Sequence, residues 1–200
     1  MARAANYDRD AALDAAMTVF WRKGYHATSL KDLEGVLAMK PGSIYAAFDS
    51  KENLYLLAIA RYFDASRQGF RAQIAKYASP LAGLAAQFQN FVELAAADPS
   101  RQACMLMKTL VDTRATDPNL AEASRAYLDQ MCGEFAEVFS AAQDAGEIAK
   151  EADPKRLARR YQANITALRV ELQRGTAQAD IADLAADMAQ ETMRLGRVTG

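Results

Sequence analysis

The stretch AMKPGSIYAAFDS, residues 38–50, leaves room for one very short helix between two stops. Pro41 lacks the N–H that a helix interior requires, so it fits a first helical position. Ile44, Ala47 and Phe48 recur at the three-to-four spacing of one helical face. Asp49 or Ser50 caps a further helix at once, and Asp49 with Glu52 has the spacing of a capping box. Upstream, Leu30, Leu33, Val36 and Leu37 stripe another short helix, for which Thr28 offers an N-cap. Residues 38–40 then form a tight turn. Before that, Leu13, Ala16, Met17 and Phe20 share a face from Asp8 to Lys23, and Gly24 suits the left-handed residue that ends a helix.

Behind residue 50 the helical stripes lengthen. They run over 51–77, 81–97, 101–113, 119–145, 154–174 and 177–195, punctuated by Pro80, Pro99, Pro118, Gly146, Pro154 and Gly175. No segment has the alternation of a strand. The fold class is all-α: a three-helix helix-turn-helix domain over 1–50, and a helical-bundle domain over 51–200. About nine helices are expected in all. With 51% apolar and 24% charged residues, the composition is that of a soluble globular chain. No signal region and no long apolar run is visible, so a cytoplasmic protein without a membrane partner is expected.

Bulk charge does not advertise nucleic acid. The net charge is −1, and over residues 1–55 seven Lys and Arg balance seven Asp and Glu. A DNA role therefore rests on local placement. Two short helices joined by a three-residue turn can lay the second in a major groove. Gly42, Ser43 and Ala46 permit close approach there. Free N–H groups at the starts of the second, third and fourth helices favour phosphate, and Thr28, Lys40 and Lys51 sit at those starts. The Tyr45 hydroxyl is within reach of a phosphate as well.

These residues also carry a resemblance. Residues 12–55 combine Phe20, Gly24, Tyr25, Thr28 and Ser29 with the run Gly42-Ser43-Ile44-Tyr45 and Phe48, then Ser50-Lys51-Glu52 and Leu54. The combination resembles the DNA-binding domain of the TetR family of bacterial transcriptional regulators. The resemblance implies a homodimer on a palindromic double-stranded operator, released by a small-molecule effector. It implies phosphate contacts at Thr28, Tyr45 and Lys51, with Lys40, Pro41, Gly42, Ser43 and Ala46 at the groove. Two departures stand out. Ala38 occupies a turn position where the family usually has glycine; a left-handed alanine there costs about 1 kcal/mol and favours a differently shaped turn. Ala46 and Ala47 replace a bulkier or polar pair, which shifts base contact toward thymine methyls.

In the remaining chain, Phe63, Phe88, Phe91, Cys104, Met107, Met131 and Phe135 are candidate pocket residues among the long helices. Cys104 has two readings. It packs a core, as free cysteine commonly does, or it lines the effector pocket and senses an electrophile, helped by Arg101 or Lys108. An Ala-Cys pair at this helix resembles a subset of the family, some of whose members respond to reactive compounds. The stripes at Leu157, Tyr161, Ile165, Leu168 and Leu172, and at Ile181, Leu184, Met188 and Leu195, fit intramolecular packing. They also fit the four-helix dimer interface over 154–195 that the resemblance implies. Cys104 and Cys132 lack metal-ligand spacing, and His26 is the only histidine. No cofactor, metal or catalytic group is expected, so the chain is read as a regulator and not an enzyme. A helical enzyme with paired titratable groups and a helical scaffold without DNA binding stay open as alternatives.

Overall fold

The computed structural model describes residues 8–97 and 103–198. Nine α-helices and a closing 3-10 turn, Leu195–Val198, are found among them, with no strand. The helices are α1 Arg9–Lys23, α2 Leu30–Leu37, α3 Pro41–Phe48, α4 Lys51–Ile74 and α5 Pro80–Ala97. They continue as α6 Met105–Thr113, α7 Pro118–Asp144, α8 Pro154–Arg174 and α9 Gln178–Arg194. The start expected for α6 at residue 101 lies outside the described residues. Proline opens four of the nine, where its missing N–H is no loss.

Helix caps differ from expectation at α2 and α1, and one of two open alternatives is settled at α4. Ser29, not Thr28, caps α2: its hydroxyl accepts from Asp32 N–H while Asp32 returns a bond to Ser29 N–H. Of the two caps expected for α4, Ser50 fills the role by accepting from Asn53 N–H at 2.9 Å. Gly24 has positive φ but an extended ψ of 174°, so it ends α1 outside the left-handed helical region. In the first two cases neighbouring residues are both able to cap, and the turn geometry selects one.

The chain divides into two compact units: Met1–Ala65 with Met105–Tyr127, and Ser66–Cys104 with Leu128–Gly200. In the first, the apolar faces of α1, α2 and α3 close over Phe20, Leu33, Ile44 and Phe48. Tyr55 of α4 lies edge-on to Phe20, ring centres 4.7 Å apart. Arg61 fastens α4 to α1 through a fork of hydrogen bonds to Asp14 and a bond to Asp10.

In the second unit α9 packs chiefly on α5. Its core gathers round Tyr161 of α8, whose ring meets Phe88 at 4.9 Å and Phe135 at 5.0 Å. Its hydroxyl donates to the Leu84 carbonyl at 2.7 Å, which satisfies the polar atom that burial takes from water. Tyr161, Ile165, Leu168, Leu172, Ile181 and Met188 are all buried in this core. Leu157, Leu184 and Leu195 of the same stripes pack against this core and are partly buried.

Candidate nucleic-acid interface

The site is built by one hard turn on each side of α3. Ala38 stands at φ 51°, ψ 35°, so the left-handed conformation that favours glycine is kept despite the side chain. The turn is not reshaped; the alanine carries the strain. At the far end Asp49 has φ 62°, ψ −52°, and Ser50 N–H bonds back to the Phe48 carbonyl at 2.7 Å. That is a γ-turn of the rarer, strained kind. Asn53 reinforces it by donating to the same carbonyl.

Between these turns Ile44 and Phe48 point inward and are 1% exposed. Lys40, Gly42, Ser43, Tyr45 and Ala46 all lie on the exposed side, with Pro41 half-buried at the first position. A Cβ added at Gly42 meets nothing within 4 Å. No packing in the chain asks for glycine there. Its value is to a partner that must approach the backbone.

The three helix starts are not equivalent. The Asp32 carboxylate already occupies the start of α2, held well below the usual carboxylate range by the Lys23 hydrogen bond first and by Ser29 next. The start of α4 has the Ser50 cap. The start of α3 has no side-chain cap, and Lys40, its N-cap residue, is exposed. Its first turn combines the Lys40 charge with the Gly42 N–H, since Pro41 has no N–H and Ser43 N–H bonds the Lys40 carbonyl.

Thr28 is buried, and its hydroxyl donates to the Gly24 carbonyl at 2.7 Å. Lys51 is half-buried with its ammonium 4.5 Å from the centre of the Tyr25 ring. Burial lowers its pKa and the Asp117 charge opposes that. Tyr25 escaped the sequence reading as a supporting residue, since the pairing joins positions 26 apart. His26 is exposed, with Nε2 3.0 Å from Thr116 Oγ1. It lies 3.0 Å from Asp117 Oδ2 too, without hydrogen-bond alignment.

Helix α6 fixes the same scaffold from behind. Lys108 Nζ donates to the Arg22 carbonyl at 2.9 Å, at the end of α1 where a cation is favoured. Its ammonium is thus turned to α1. Thr109 meets the Tyr55 hydroxyl at 2.6 Å. Arg101, the other helper envisaged for Cys104, lies outside the described residues. Of the pocket candidates, Phe63 and Met107 belong to the first unit; Phe88, Phe91, Cys104, Met131 and Phe135 belong to the second. Phe63 stacks on Tyr127, and Phe88 and Phe135 fill the core around Tyr161. Phe91 lies under the Arg169 guanidinium. Cys104 and Cys132 are free and half-buried, and burial pushes the Cys132 thiol up.

Comparison with known proteins fits this arrangement. Residues 12–58 match the domain described as bacterial regulatory proteins, tetR family, and residues 80–186 match the tetracyclin repressor-like C-terminal domain. The chain is 46% identical over 68 residues to the HTH-type transcriptional repressor ComR of Escherichia coli; that match covers 34% of this chain and 32% of ComR. It is 29% identical over 161 residues to the HTH-type regulator YezE of Bacillus subtilis, covering 80% of this chain and 82% of YezE. Among solved structures, a cysteine-substituted CifR, a TetR family regulator complexed with 26-bp double-strand operator DNA, superposes with a TM-score of 0.83. It is 26% identical, and the match covers 94% of this chain and 98% of that one. No described helix is long and apolar enough to cross a membrane.

Proposed function

The chain belongs to the TetR family of bacterial regulatory proteins, and from that premise we propose that it is a cytoplasmic, ligand-responsive transcriptional repressor. Residues 1–50 act as the DNA-binding domain, and residues 51–200 bind the effector and form a homodimer through 154–195. The single observation that carries the DNA reading is the outer face of α3. Lys40, Gly42, Ser43, Tyr45 and Ala46 are exposed together on a helix whose start is uncapped and whose two ends are fixed by positive-φ turns.

The roles divide by reach. Lys40 and the free N–H of the first α3 turn hold one phosphate; Lys51, positioned over Tyr25, holds another; the Tyr45 hydroxyl donates to the backbone. Pro41 sets the start of α3, and Gly42 lets a backbone approach. Ser43 reaches a base edge and Ala46 a thymine methyl. Thr28 acts through the loop that its hydroxyl holds to Gly24. The effector is a small molecule received among the aromatic residues of the second unit, beside Phe91 and Met131. Effector binding releases the DNA from the scaffold that α6 holds through Lys108 on α1 and Thr109 on α4.

Titrations with operator and scrambled duplex at several salt concentrations test the division. Lys51→Ala weakens both duplexes alike and lowers the salt slope by roughly 1 per half-site. Ser43→Ala costs about 1–3 kcal/mol of discrimination at one position of each half-site and leaves the slope unchanged. A change of sequence preference in Lys51→Ala, or equal weakening of both duplexes in Ser43→Ala, overturns it.

A further inference from the structure

Asp117 ends the turn between α6 and α7, and its backbone is pinned. Its N–H bonds the Thr113 carbonyl at 2.8 Å, and its own carbonyl accepts from Ala121 N–H at 3.1 Å. Asn119, two residues on, donates to Glu52 of α4 at 3.0 Å. The turn thus holds the Asp117 carboxylate in the first compact unit, with Oδ2 buried and accepting no hydrogen bond. Two basic side chains flank it. His26 Nε2 lies 3.0 Å from Oδ2. Burial works against the Lys51 charge and the Asp117 carboxylate works for it, although no ion pair among the described residues joins those two. Burial first, then the Asp117 and Glu52 charges, raise the Tyr25 hydroxyl, and the Tyr25 ring stands edge-on to the imidazole at 5.2 Å. Lys108 and Asp112 of α6 stand against Gly24, where the same loop begins.

Among these groups His26 is the one whose kind ordinarily changes charge between about pH 5 and 8. Its side chain is 51% exposed, so it exchanges protons with solvent. The Thr116 hydroxyl, 3.0 Å from Nε2, can donate to a bare ring nitrogen or accept from a protonated one, so the loop keeps this bond in both states. What changes is the charge facing Oδ2. A neutral imidazole leaves the carboxylate without a counter-charge, and its field falls on Lys51. An imidazolium always bears a hydrogen on Nε2 and supplies that counter-charge at contact distance. A carboxylate acting on Lys51 is an internal rival of a DNA phosphate, since both draw on the same ammonium. Resting on the phosphate contact proposed for Lys51, we infer that His26 and Asp117 form a proton-operated latch on DNA affinity. With His26 neutral, Asp117 draws on Lys51; with His26 protonated, Asp117 is neutralised and Lys51 is left to the phosphate. His26 and Asp117 are positioning residues in this scheme, acting on DNA through Lys51.

The test uses the full chain and mixed-sequence double-stranded DNA at fixed low salt, since a phosphate contact is read on any duplex. Binding is titrated at about pH 8 and about pH 6, on either side of the ordinary imidazole range. The wild type should bind about threefold tighter per copy at the lower pH, roughly tenfold for a dimer. His26→Gln, which keeps a polar group beside Thr116, should stay at the weaker affinity at both values. Asp117→Asn should already bind tightly at the higher pH and lose the gain on acidification. Lys51→Ala should bind weakly at both values, also without the gain. A flat wild-type profile overturns the latch. So does an undiminished gain in Asp117→Asn, because the imidazolium then acts on DNA directly. If Lys51→Ala binds like the wild type, the phosphate role of Lys51 itself falls; if it binds weakly while the wild type is flat, only the latch falls. Circular dichroism at both pH values checks folding, and Asp117→Ser replaces Asp117→Asn if the latter loses helicity.

Discussion

At the residue scale, two small side chains near α3 are set against each other. Ala38 occupies a left-handed position that glycine tolerates better, and its φ of 51° is the strained alternative. Gly42 occupies a helical position that alanine tolerates better, and nothing in the chain blocks a methyl group there. Stability alone would exchange them. Ala38→Gly should therefore raise unfolding stability by about 0.5–1 kcal/mol, the relief of strain being partly offset by the freer unfolded chain. Chemical denaturation measures it, and a neutral or destabilising result would show that the turn is not strained. Gly42→Ala should raise stability by up to about 1 kcal/mol and yet weaken operator binding, because a methyl group then stands where the DNA backbone approaches. Denaturation and a binding titration on the same preparation read the two effects. Retained affinity removes Gly42 from the interface.

At the element scale, α4 and α6 meet through a buried polar pair, Tyr55 and Thr109. Burial pushes the Tyr55 hydroxyl up to about 12 from 10, the Thr109 bond opposing it. Burial also raises Tyr161 well above 10. The folded chain thus holds these protons where the unfolded chain releases them. Their contribution is complete below pH 10 and is lost as pH rises through the folded values. Tyr55 alone accounts for about 2–3 kcal/mol of that loss. Denaturation midpoints should fall across pH 10 to 12, and Tyr55→Phe should flatten the fall while costing about 1 kcal/mol at neutral pH. An unchanged pH profile in Tyr55→Phe contradicts the assignment. Helix positions were legible in the sequence because Pro41, Pro118 and Pro154 can only open helices and Gly175 ends one. Caps were legible to within a residue: Thr28 and Ser29, like Asp49 and Ser50, are adjacent and equally able to cap. The stripes of α8 and α9 showed that a face is covered but not by what. Lys51 on Tyr25 and Lys108 on Arg22 were not legible, since periodicity says nothing of which distant helix a side chain meets.

At the scale of the whole molecule, a nearly neutral chain is proposed to bind a polyanion. The account needs charge to be local and doubled: one uncapped helix start and a pair of lysines in each copy, repeated by a two-fold axis. Light scattering at micromolar concentration should give twice the 21.8 kDa chain mass. A monomer with undiminished operator affinity would contradict that. The most direct measurement of the central claim is selection of bound duplexes from a random pool by the full chain, repeated with Ser43→Ala. The account predicts a two-fold symmetric consensus for the wild type, relaxed at one matching position in each half-site for the variant. Failure to enrich any sequence, or identical consensus sequences from both chains, would contradict base reading by the outer face of α3.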